Sequence, residues 1–420
     1  NSMKVQFPET KSLKISNRLS RRNLFKGAGV AALTGLAGCG ASSTMDSSKP
    51  ALRLPITTYE SIGLRPVINC VGTVTSLGGS LMSPEVKMAM EEASKHYIPM
   101  VELVEAAGRR IAELTGAEWG CVTSGAAGSL IAAAAACTAG ADPKKMAQLP
   151  DTTGMKNELI VIKPQIGAFQ GYIKAVQLKM SEYDTIKELD AAVNANTAII
   201  GIWSELLCEG DVKLEDIISV GKKHGVPVLV DAAAERPDVP NVYLEAGADL
   251  VVYSGGKCMR GPQCAGLLFG RKDLVQAASR NIAPFGGIGR PSKVGKEEIM
   301  GVLTALDLWN NALDHEAEWR DWETKLKHIS DAVSSIQSVK TEVVQPHRPS
   351  NHALRLKVTW DQNTVKINPK EVEEQLGKGE PRIMMRPSGD DGMLIMSFMI
   401  EDGDEIHIGR RLAEVLSGAV

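Results

Sequence analysis

Val228-Leu-Val-Asp-Ala-Ala-Ala234 and Val251-Val-Tyr-Ser-Gly-Gly-Lys257 are the two stretches of sequence that decide the fold. Each begins with apolar, mostly β-branched residues, which predicts a buried strand. Each then delivers one reactive group at the end of its strand, Asp231 in the first stretch and Lys257 in the second, and a helical segment lies between them. The sequence therefore predicts a carboxylate and an amine at the ends of two neighbouring strands.

Other short apolar runs have the same character and alternate with helical segments such as 185–194 and 213–224. Runs that are buried on both faces and separated by helices predict a mostly parallel sheet of about seven strands in an α/β fold. The last run follows the preceding strand so closely that we expect it to pair antiparallel beside it. The runs are Leu159–Ile162, Ala175–Leu178, Ala198–Trp203, Pro227–Val230, Leu250–Tyr253 and Ala265–Phe269.

At 420 residues the chain exceeds the size at which one core stops growing, so a large and a smaller domain are expected. Residues 296–336 read as almost wholly helical, which is typical of a helix that bridges two domains. Beyond them, alternating strands and a capped helix predict a small α+β lobe. The predicted organisation is a signal peptide at 1–39, a linker at 40–58, a large domain at 59–310, a bridging helix at 311–340 and a small domain at 341–420.

A second polar motif, Thr123-Ser-Gly-Ala-Ala127, leads from a short strand into an alanine-rich helix. The free N–H groups of a helix N-terminus and small residues around them suit a phosphate, which must approach the backbone closely. Taken alone, the motif is equally typical of an ordinary turn. Its value comes from its position upstream of Asp231 and Lys257.

Together these groups indicate a pyridoxal phosphate site, because that cofactor needs a phosphate cradle, a carboxylate for its ring nitrogen and a lysine for covalent attachment. The cradle comes first, the aspartate about 100 residues later and the lysine 26 residues after that. This order resembles the aminotransferase-like (type I) pyridoxal phosphate fold. Val230–Pro237, Gly247–Leu250 and Ser254-Gly-Gly-Lys-Cys-Met-Arg-Gly-Pro-Gln263 are similar to the family of selenocysteine synthase and D-glucosaminate-6-phosphate ammonia-lyase.

The resemblance implies specific roles. Lys257 would carry the cofactor and later shuttle a proton, and Asp231 would keep the ring nitrogen protonated. The phosphate would be held by the cradle residues Thr123, Ser124, Gly125 and Ala126 together with Ser254.

Substrate-binding residues are less sharply indicated. Arg386 would hold a substrate carboxylate, with a surface ion pair as the alternative, and Gln263 would shape the turn behind the lysine and reach the substrate. Arg290 lies in a basic, Gly-rich loop that a neighbouring subunit would bring to the site in such folds, which implies at least a homodimer; capping of the following helix is the alternative role of this loop. After the strand at 159–162 this chain departs from its relatives, and Gln165 or Phe169 is expected against the cofactor ring.

Composition and cysteine usage exclude some classes of partner. A formal net charge of −3 gives no general attraction to nucleic acid, so we expect a small-molecule, amino acid-like substrate. The seven cysteines include no C-x-x-C pair, so neither a zinc site nor a disulfide framework is predicted. Cys258, beside Lys257, is expected to be a packed residue and not a reactive thiol.

The N-terminal region predicts export. Ser20-Arg-Arg-Asn-Leu-Phe-Lys26 is a twin-arginine element, and a short Ala/Gly-rich apolar run follows it. Leu36-Ala-Gly-Cys39 is similar to a lipoprotein cleavage box, which would make Cys39 a lipid anchor at the outer face of the membrane; ordinary cleavage into the periplasm is the alternative. A disordered basic tail before an apolar helix would explain the same residues.

These features predict a pyridoxal phosphate enzyme that acts on a small amino acid or amino sugar acid as a lyase. A selenocysteine synthase-like transferase is the alternative, although export and mild acidity disfavour a tRNA substrate. Racemase, aldolase and aminotransferase chemistry use the same cofactor and lysine. A non-catalytic lipoprotein is disfavoured because Asp231 and Lys257 are both present.

Overall fold

The computed structural model describes residues 58–162, 174–204 and 212–420. Contacts divide the chain after Ile62, and every element named below belongs to the unit Gly63–Val420. The strands are β1 (Val67–Asn69), β2 (Trp119–Ser124), β3 (Glu158–Ile162), β4 (Lys179–Tyr183), β5 (Thr197–Trp203), β6 (Val228–Asp231), β7 (Leu250–Ser254), β8 (Ala265–Gly270), β9 (Lys340–Val344), β10 (Arg355–Thr359), β11 (Arg382–Met384), β12 (Arg386–Pro387) and β13 (Gly392–Met396).

The helices alternate with the strands in the first two thirds of the unit. They are α1 (Pro84–Ser94), α2 (Met100–Thr115), α3 (Gly125–Ala139), α4 (Pro143–Gln148), α5 (Ile186–Ala192), α6 (Leu214–His224), α7 (Val242–Ala246), α8 (Lys272–Arg280), α9 (Lys296–Asn311), α10 (His315–Val333), α11 (Pro369–Lys378) and α12 (Asp404–Ser417). Within the described residues, no helix is long and apolar enough to cross a membrane.

A seven-stranded sheet with the order β2-β8-β7-β6-β5-β3-β4 confirms the predicted α/β architecture. Only β8 runs against the others, pairing antiparallel with both β2 and β7, as its short connection to β7 predicted. Alternate strand residues enter two separate cores: Leu159 and Val161 face one, and Ile160 and Ile162 face the other. Burial on both faces explains why these strands are almost continuously apolar.

Two predicted elements lie elsewhere. The run at 175–178 precedes a strand instead of forming one, because β4 begins at Lys179. The predicted single helix over 296–336 is wrong, since α9 ends at Asn311 and α10 begins at His315. Asp314 explains the break, because its carboxylate accepts the Ala317 N–H at 2.9 Å and so caps a new helix.

The C-terminal part forms a second sheet with the order β12-β13-β10-β9; α10 and α11 pack against this sheet, and α12 packs on those two helices. The chain between 67 and 75 is built into this region: β1 pairs parallel with β11, and the Met396 N–H donates to the Cys70 carbonyl at 3.0 Å. Gly72, at φ +101°, packs so tightly that a Cβ would lie 2.3 Å from Met396 Sδ. This contact directs the following residues, 73–75, toward the end of the central sheet.

Candidate active site

Asp231 is the last residue of β6 and is 8% exposed. Its Oδ1 accepts the Ala233 N–H at 3.1 Å. Burial raises the pKa of this carboxyl from 3.8 to about 6, against the lowering effects of that hydrogen bond and of the charge of Lys257. A buried carboxylate with one backbone donor is suited to receive a second, cationic donor.

Lys257 follows the neighbouring strand β7, on a turn closed by two glycines. A Cβ on Gly255 would lie 2.8 Å from the Ala265 carbonyl oxygen, and one on Gly256 would lie 2.4 Å from Gln263 Cα. Any larger residue at either position would push the two arms of the turn apart. The Ser-Gly-Gly-Lys sequence is therefore required by packing, and it fixes the point from which the lysine projects.

The cradle predicted before α3 is supported from below by β8. Gly125, at φ +67°, would carry a Cβ that meets no heavy atom within 4 Å, so space is open over the first turn of the helix. On Gly266, by contrast, a Cβ would lie 2.3 Å from the Gly125 carbonyl carbon and 2.7 Å from the Ala126 nitrogen. The backbone of the cradle thus lies directly on a glycine, and the first N–H groups of α3 have no acceptor within the helix.

The two flanking serines occupy the same edge of the sheet. Ser124 pairs with Ala265, and Ser254 pairs with Gly266, so the serines lie on opposite sides of β8. Two strand spacings separate them by roughly 10 Å. Ser124 makes no capping hydrogen bond to α3.

The side chain of Thr123 does not fit the prediction that this residue holds the cofactor phosphate. It is fully buried, and its hydroxyl bonds to Ser129 Oγ at 2.6 Å and donates to the Gly125 carbonyl at 2.9 Å. Successive strand residues point to opposite faces, which turns Thr123 inward. Its side chain therefore fixes the turn, and only its backbone is left to contribute to a cofactor site.

The arrangement fits pyridoxal phosphate on three independent points. The open space over Gly125 and the N-terminus of α3 suit the phosphate, the buried Asp231 suits a protonated ring nitrogen, and the Lys257 amine suits covalent attachment. All three lie at the carboxyl ends of parallel strands, where α/β sheets bind their ligands.

A cavity of about 290 Å³ opens beside Lys257. The described residues that line it come from the ends of β5 and β6, the 73–75 segment and a loop of the second sheet: Thr73, Val74, Thr75, Trp203, Ala233, Ala234, Lys257, Ser350 and Asn351. Sequence reasoning identified only Lys257 among them. The others carry no motif, although the hydroxyl-rich Thr73-Val-Thr75 run after a short strand was a usable signal.

The predicted substrate residues do not line this cavity. Arg386 is exposed on β12, at the edge of the second sheet, and Arg290 is exposed on the loop before α9. Gln263 is also exposed, and its Nε2 donates to the Thr75 carbonyl at 3.1 Å, so it anchors the segment that lines the cavity. Gln165 and Phe169 lie outside the described residues.

A buried polar network supports the end of β6. Ser204 donates its hydroxyl to the Asp231 carbonyl at 2.9 Å and also bonds to Glu235, and Glu235 bonds in turn to the Tyr243 hydroxyl. Glu235 is 5% exposed. These contacts hold the backbone on both sides of the carboxylate and explain the acidic residue in the Asp-Ala-Ala-Ala-Glu motif.

Cys258 is buried, and its thiol donates to the Ala234 carbonyl at 3.3 Å. Burial raises its pKa to about 12, so the thiol stays protonated at neutral pH. The structure agrees with the prediction of a packed residue beside the lysine.

The chain was compared with known proteins. Residues 86–362 match the family model described as "Aminotransferase class-V". D-glucosaminate-6-phosphate ammonia lyase of Salmonella typhimurium is 32% identical over 341 residues, which cover 78% of this chain and 89% of that protein. A solved structure with that name superposes with a TM-score of 0.75 at 28% identity, covering 86% of this chain and 98% of the other.

Two further relatives have different activities in their names. The 5'-C-glycyluridine monooxygenase-decarboxylase of a Streptomyces species is 32% identical over 343 residues, covering 78% of this chain and 84% of that protein. The L-seryl-tRNA(Sec) selenium transferase of Aquifex aeolicus is 28% identical over 280 residues, covering 59% of this chain and 58% of that protein. The family match, these likenesses and the site geometry agree: the chain belongs to the class-V aminotransferase family and is a pyridoxal phosphate-dependent enzyme with the aminotransferase-like fold.

Proposed function

We propose that this enzyme is a lyase that releases ammonia from a small amino acid or an amino sugar acid. The observation that carries the proposal is the position of Lys257 in the wall of a cavity, on the strand next to the one that ends in the buried Asp231. The likeness to D-glucosaminate-6-phosphate ammonia lyase over most of both chains supports the reaction class.

Pyridoxal phosphate, when bound, withdraws electrons from the bonds at the substrate Cα. Asp231 would keep the ring nitrogen protonated, because a buried carboxylate and a neighbouring pyridinium cation each favour the charged form of the other. Lys257 would hold the cofactor covalently through Nζ, and the same amine would be the group that moves the α-proton of the substrate. The first turn of α3 would hold the phosphate.

A transferase of the selenocysteine synthase kind is the second candidate, supported by the Aquifex aeolicus relative. The formal charge of −3 gives no general attraction for tRNA, which makes this the weaker candidate. Racemase, aldolase and aminotransferase outcomes use the same groups and are separated by product analysis.

The colour of the purified protein and the products that it forms from amino acids test the proposed function. The purified protein should be yellow, and borohydride should fix the cofactor on Lys257, as peptide mass mapping will show. Incubation with D- and L-amino acids and with D-glucosaminate should release ammonia and a 2-oxo acid from a subset. A colourless protein that takes up no added pyridoxal phosphate would contradict the cofactor assignment; a coloured one that releases no ammonia would contradict the lyase.

We further propose a homodimer that completes the site. Large apolar side chains are concentrated between residues 81 and 101, directly after the segment that lines the cavity. Leu81, Met88, Tyr97, Ile98 and Val101 are all at least 46% exposed, and Tyr97 is fully exposed. A partner covering this surface could bring Arg290 of its own loop toward the cavity. Sedimentation of the wild type and of Tyr97→Glu will test the dimer, and a monomeric wild type would contradict it.

Export by the twin-arginine route is a separate proposal, supported by Ser20–Lys26 and the apolar run that follows. The site is then in the periplasm or at the outer face of the membrane, with Cys39 as the anchor if it is lipidated. Replacing Arg21 and Arg22 by Lys should retain the protein in the cytoplasm. An unchanged cell fractionation would contradict export.

A further inference from the structure

Asn351 lies in the wall of the cavity beside Lys257, in a loop of the second sheet. Its backbone adopts the left-handed conformation at φ +48°, which asparagine tolerates better than most residues. Its N–H donates to the Ala234 carbonyl at 2.8 Å, three residues beyond Asp231. The residue is thereby fixed against the same chain segment that carries the cofactor's carboxylate partner.

The orientation of the Asn351 amide is set by Thr73. Asn351 Oδ1 accepts the Thr73 N–H at 3.3 Å and also the Thr73 hydroxyl at 2.5 Å. A backbone N–H can only donate, so the atom that faces Thr73 must be the oxygen. The amide NH₂ group therefore points away from Thr73, and within the described part of the chain it donates to no other group.

The charge of the cavity wall defines what this donor can bind. Of the nine described residues that line the cavity, Lys257 alone has a formal charge, and none is a carboxylate. The other polar side-chain groups of this described lining are the hydroxyls of Thr73, Thr75 and Ser350 and the indole N–H of Trp203. An NH₂ group needs an acceptor, and a wall with one cation and no anion favours an acceptor that is itself anionic.

Arginine is the residue that usually performs this task, because its planar fork matches a carboxylate. Here Arg386 and Arg290, the two candidates from the sequence, are exposed and stand outside the described lining of the cavity. Among the described residues that line the cavity, the Asn351 amide is thus an uncharged donor available to a carboxylate beside Lys257.

We propose that the Asn351 amide binds the carboxylate of the substrate, assisted by the hydroxyls of Ser350 and Thr75. The inference rests on the proposed function, since it assumes a substrate that reacts through an amine next to a carboxylate. Asn351 would then make the enzyme bind amino acids in preference to amines that lack a carboxylate. Thr73, by holding the amide oxygen, is the positioning residue for this contact.

Alanine and ethylamine test the proposal, because they are the same molecule with and without the carboxylate and both are small enough for the cavity. Their dissociation constants are measured on the pyridoxal phosphate-loaded protein by calorimetry, with both enantiomers of alanine. The Asn351→Asp variant keeps the oxygen that accepts from Thr73 and replaces only the donor by a negative oxygen. It should weaken alanine at least about tenfold and leave ethylamine within twofold of the wild type.

Asn196→Asp is the matched control. Asn196 is exposed and immediately precedes β5, so it lies at the opposite edge of the sheet and its replacement makes the same charge change. It should change neither constant. Cofactor affinity, followed by absorbance, should be unchanged in both variants.

Three outcomes overturn the inference while leaving the proposed function intact. If alanine binds the wild type no more tightly than ethylamine does, the carboxylate contributes nothing to the affinity. Equal weakening of both ligands by Asn351→Asp would assign a structural role, and no weakening would place the carboxylate elsewhere. A wild type that takes up no pyridoxal phosphate contradicts the proposed function itself.

Discussion

Arg260 Nη2 lies 2.8 Å from Glu318 Oε1, and this ion pair joins the turn that carries Lys257 to helix α10. The Arg260 N–H donates to the Lys257 carbonyl at 3.0 Å, so the arginine belongs to the lysine turn itself. Its guanidinium also donates to the Phe398 carbonyl at 3.3 Å and lies 5.1 Å from the centre of that ring. Arg260 thus connects the lysine turn, through its backbone, with α10 and the segment that follows β13, through its side chain.

Weakening this connection should impair turnover more than binding. In Arg260→Met the lysine turn loses its anchor, so kcat should fall by about tenfold or more while KM changes little, since Lys257 is displaced but the other residues of the cavity wall are not. Arg260→Lys should recover only part of the loss because a lysine cannot contact Glu318 and Phe398 together. The rate at which borohydride fixes the cofactor on Lys257 should change in parallel, which a purely structural role would not require.

Arg320→Met is the control for this experiment. Arg320 lies on the same helix, is exposed and forms a 3.6 Å pair with Glu316 one turn away. Exposed pairs of this kind contribute little, so turnover should be unchanged. A similar loss in both variants would show that α10, and not the Arg260 link, was disturbed.

Asp231 predicts a pH dependence of stability in the cofactor-free protein. Its pKa is about 6 in the folded chain against 3.8 ordinarily, so between these values the folded state binds more protons than the unfolded state. Stability from this group is complete below pH 3.8 and is lost as the pH rises through 6, by on the order of 3 kcal/mol. Asp231→Asn should remove that loss, and urea unfolding at pH 4.5 and pH 7.5 will measure it.

The same variant should bind pyridoxal phosphate more weakly, because a neutral amide cannot stabilise a protonated ring nitrogen. The cofactor-free variant is thus expected to be more stable at pH 7.5 and less able to take up the cofactor. Parallel pH profiles for the wild type and Asp231→Asn would contradict the burial of an ionisable group at this position.

The reactive groups were predictable because each lies inside a local pattern. Asp231 and Lys257 end apolar runs, and the two glycines before Lys257 are required by contacts within the same turn. Continuously apolar runs likewise predicted a sheet with two covered faces. Sequence reasoning works here because the relevant contacts are close along the chain.

The residues of the cavity wall were not predictable, because they contact one another across long separations in the sequence. Asn351 reaches Thr73 across 278 positions, and neither residue stands in a recognisable motif. Gln263 contacts Thr75 across 188 positions, and this contact makes a predicted substrate residue an anchor of the 73–75 segment. The break before α10 was missed because the residues around Asp314 have helical composition, while a single side-chain cap decided the boundary.

The tight packing at Gly266 predicts that one added methyl group there weakens cofactor binding in the cradle. In Gly266→Ala the new Cβ would overlap the backbone of Gly125 and Ala126, which must then move outward into the space meant for the phosphate. Overpacking of this kind costs about 1–3 kcal/mol, and we expect pyridoxal phosphate to bind at least about tenfold more weakly. Absorbance titration of the cofactor-free protein measures the affinity.

Gly377→Ala is a suitable control, because Gly377 is in α11 and a Cβ there meets no heavy atom within 4 Å. It should leave the affinity unchanged and raise stability by about 0.5–1 kcal/mol. Unaltered cofactor binding in Gly266→Ala would mean that the phosphate is not held over Gly125.

Thiol reactivity should distinguish Cys264 from the other described cysteines. Cys264 is exposed, whereas Cys258 and Cys121 are buried and burial raises their pKa values to about 12 and about 11. Only the thiolate reacts with an alkylating reagent, and a buried thiol is in addition shielded from it. Iodoacetamide at pH 8 should therefore label Cys264 well before Cys258 in the native protein and label all sites in denaturant. Mass mapping of a time course will show the order, and early labelling of Cys258 would mean that the turn beside Lys257 opens to solvent and that the packing described for it is wrong.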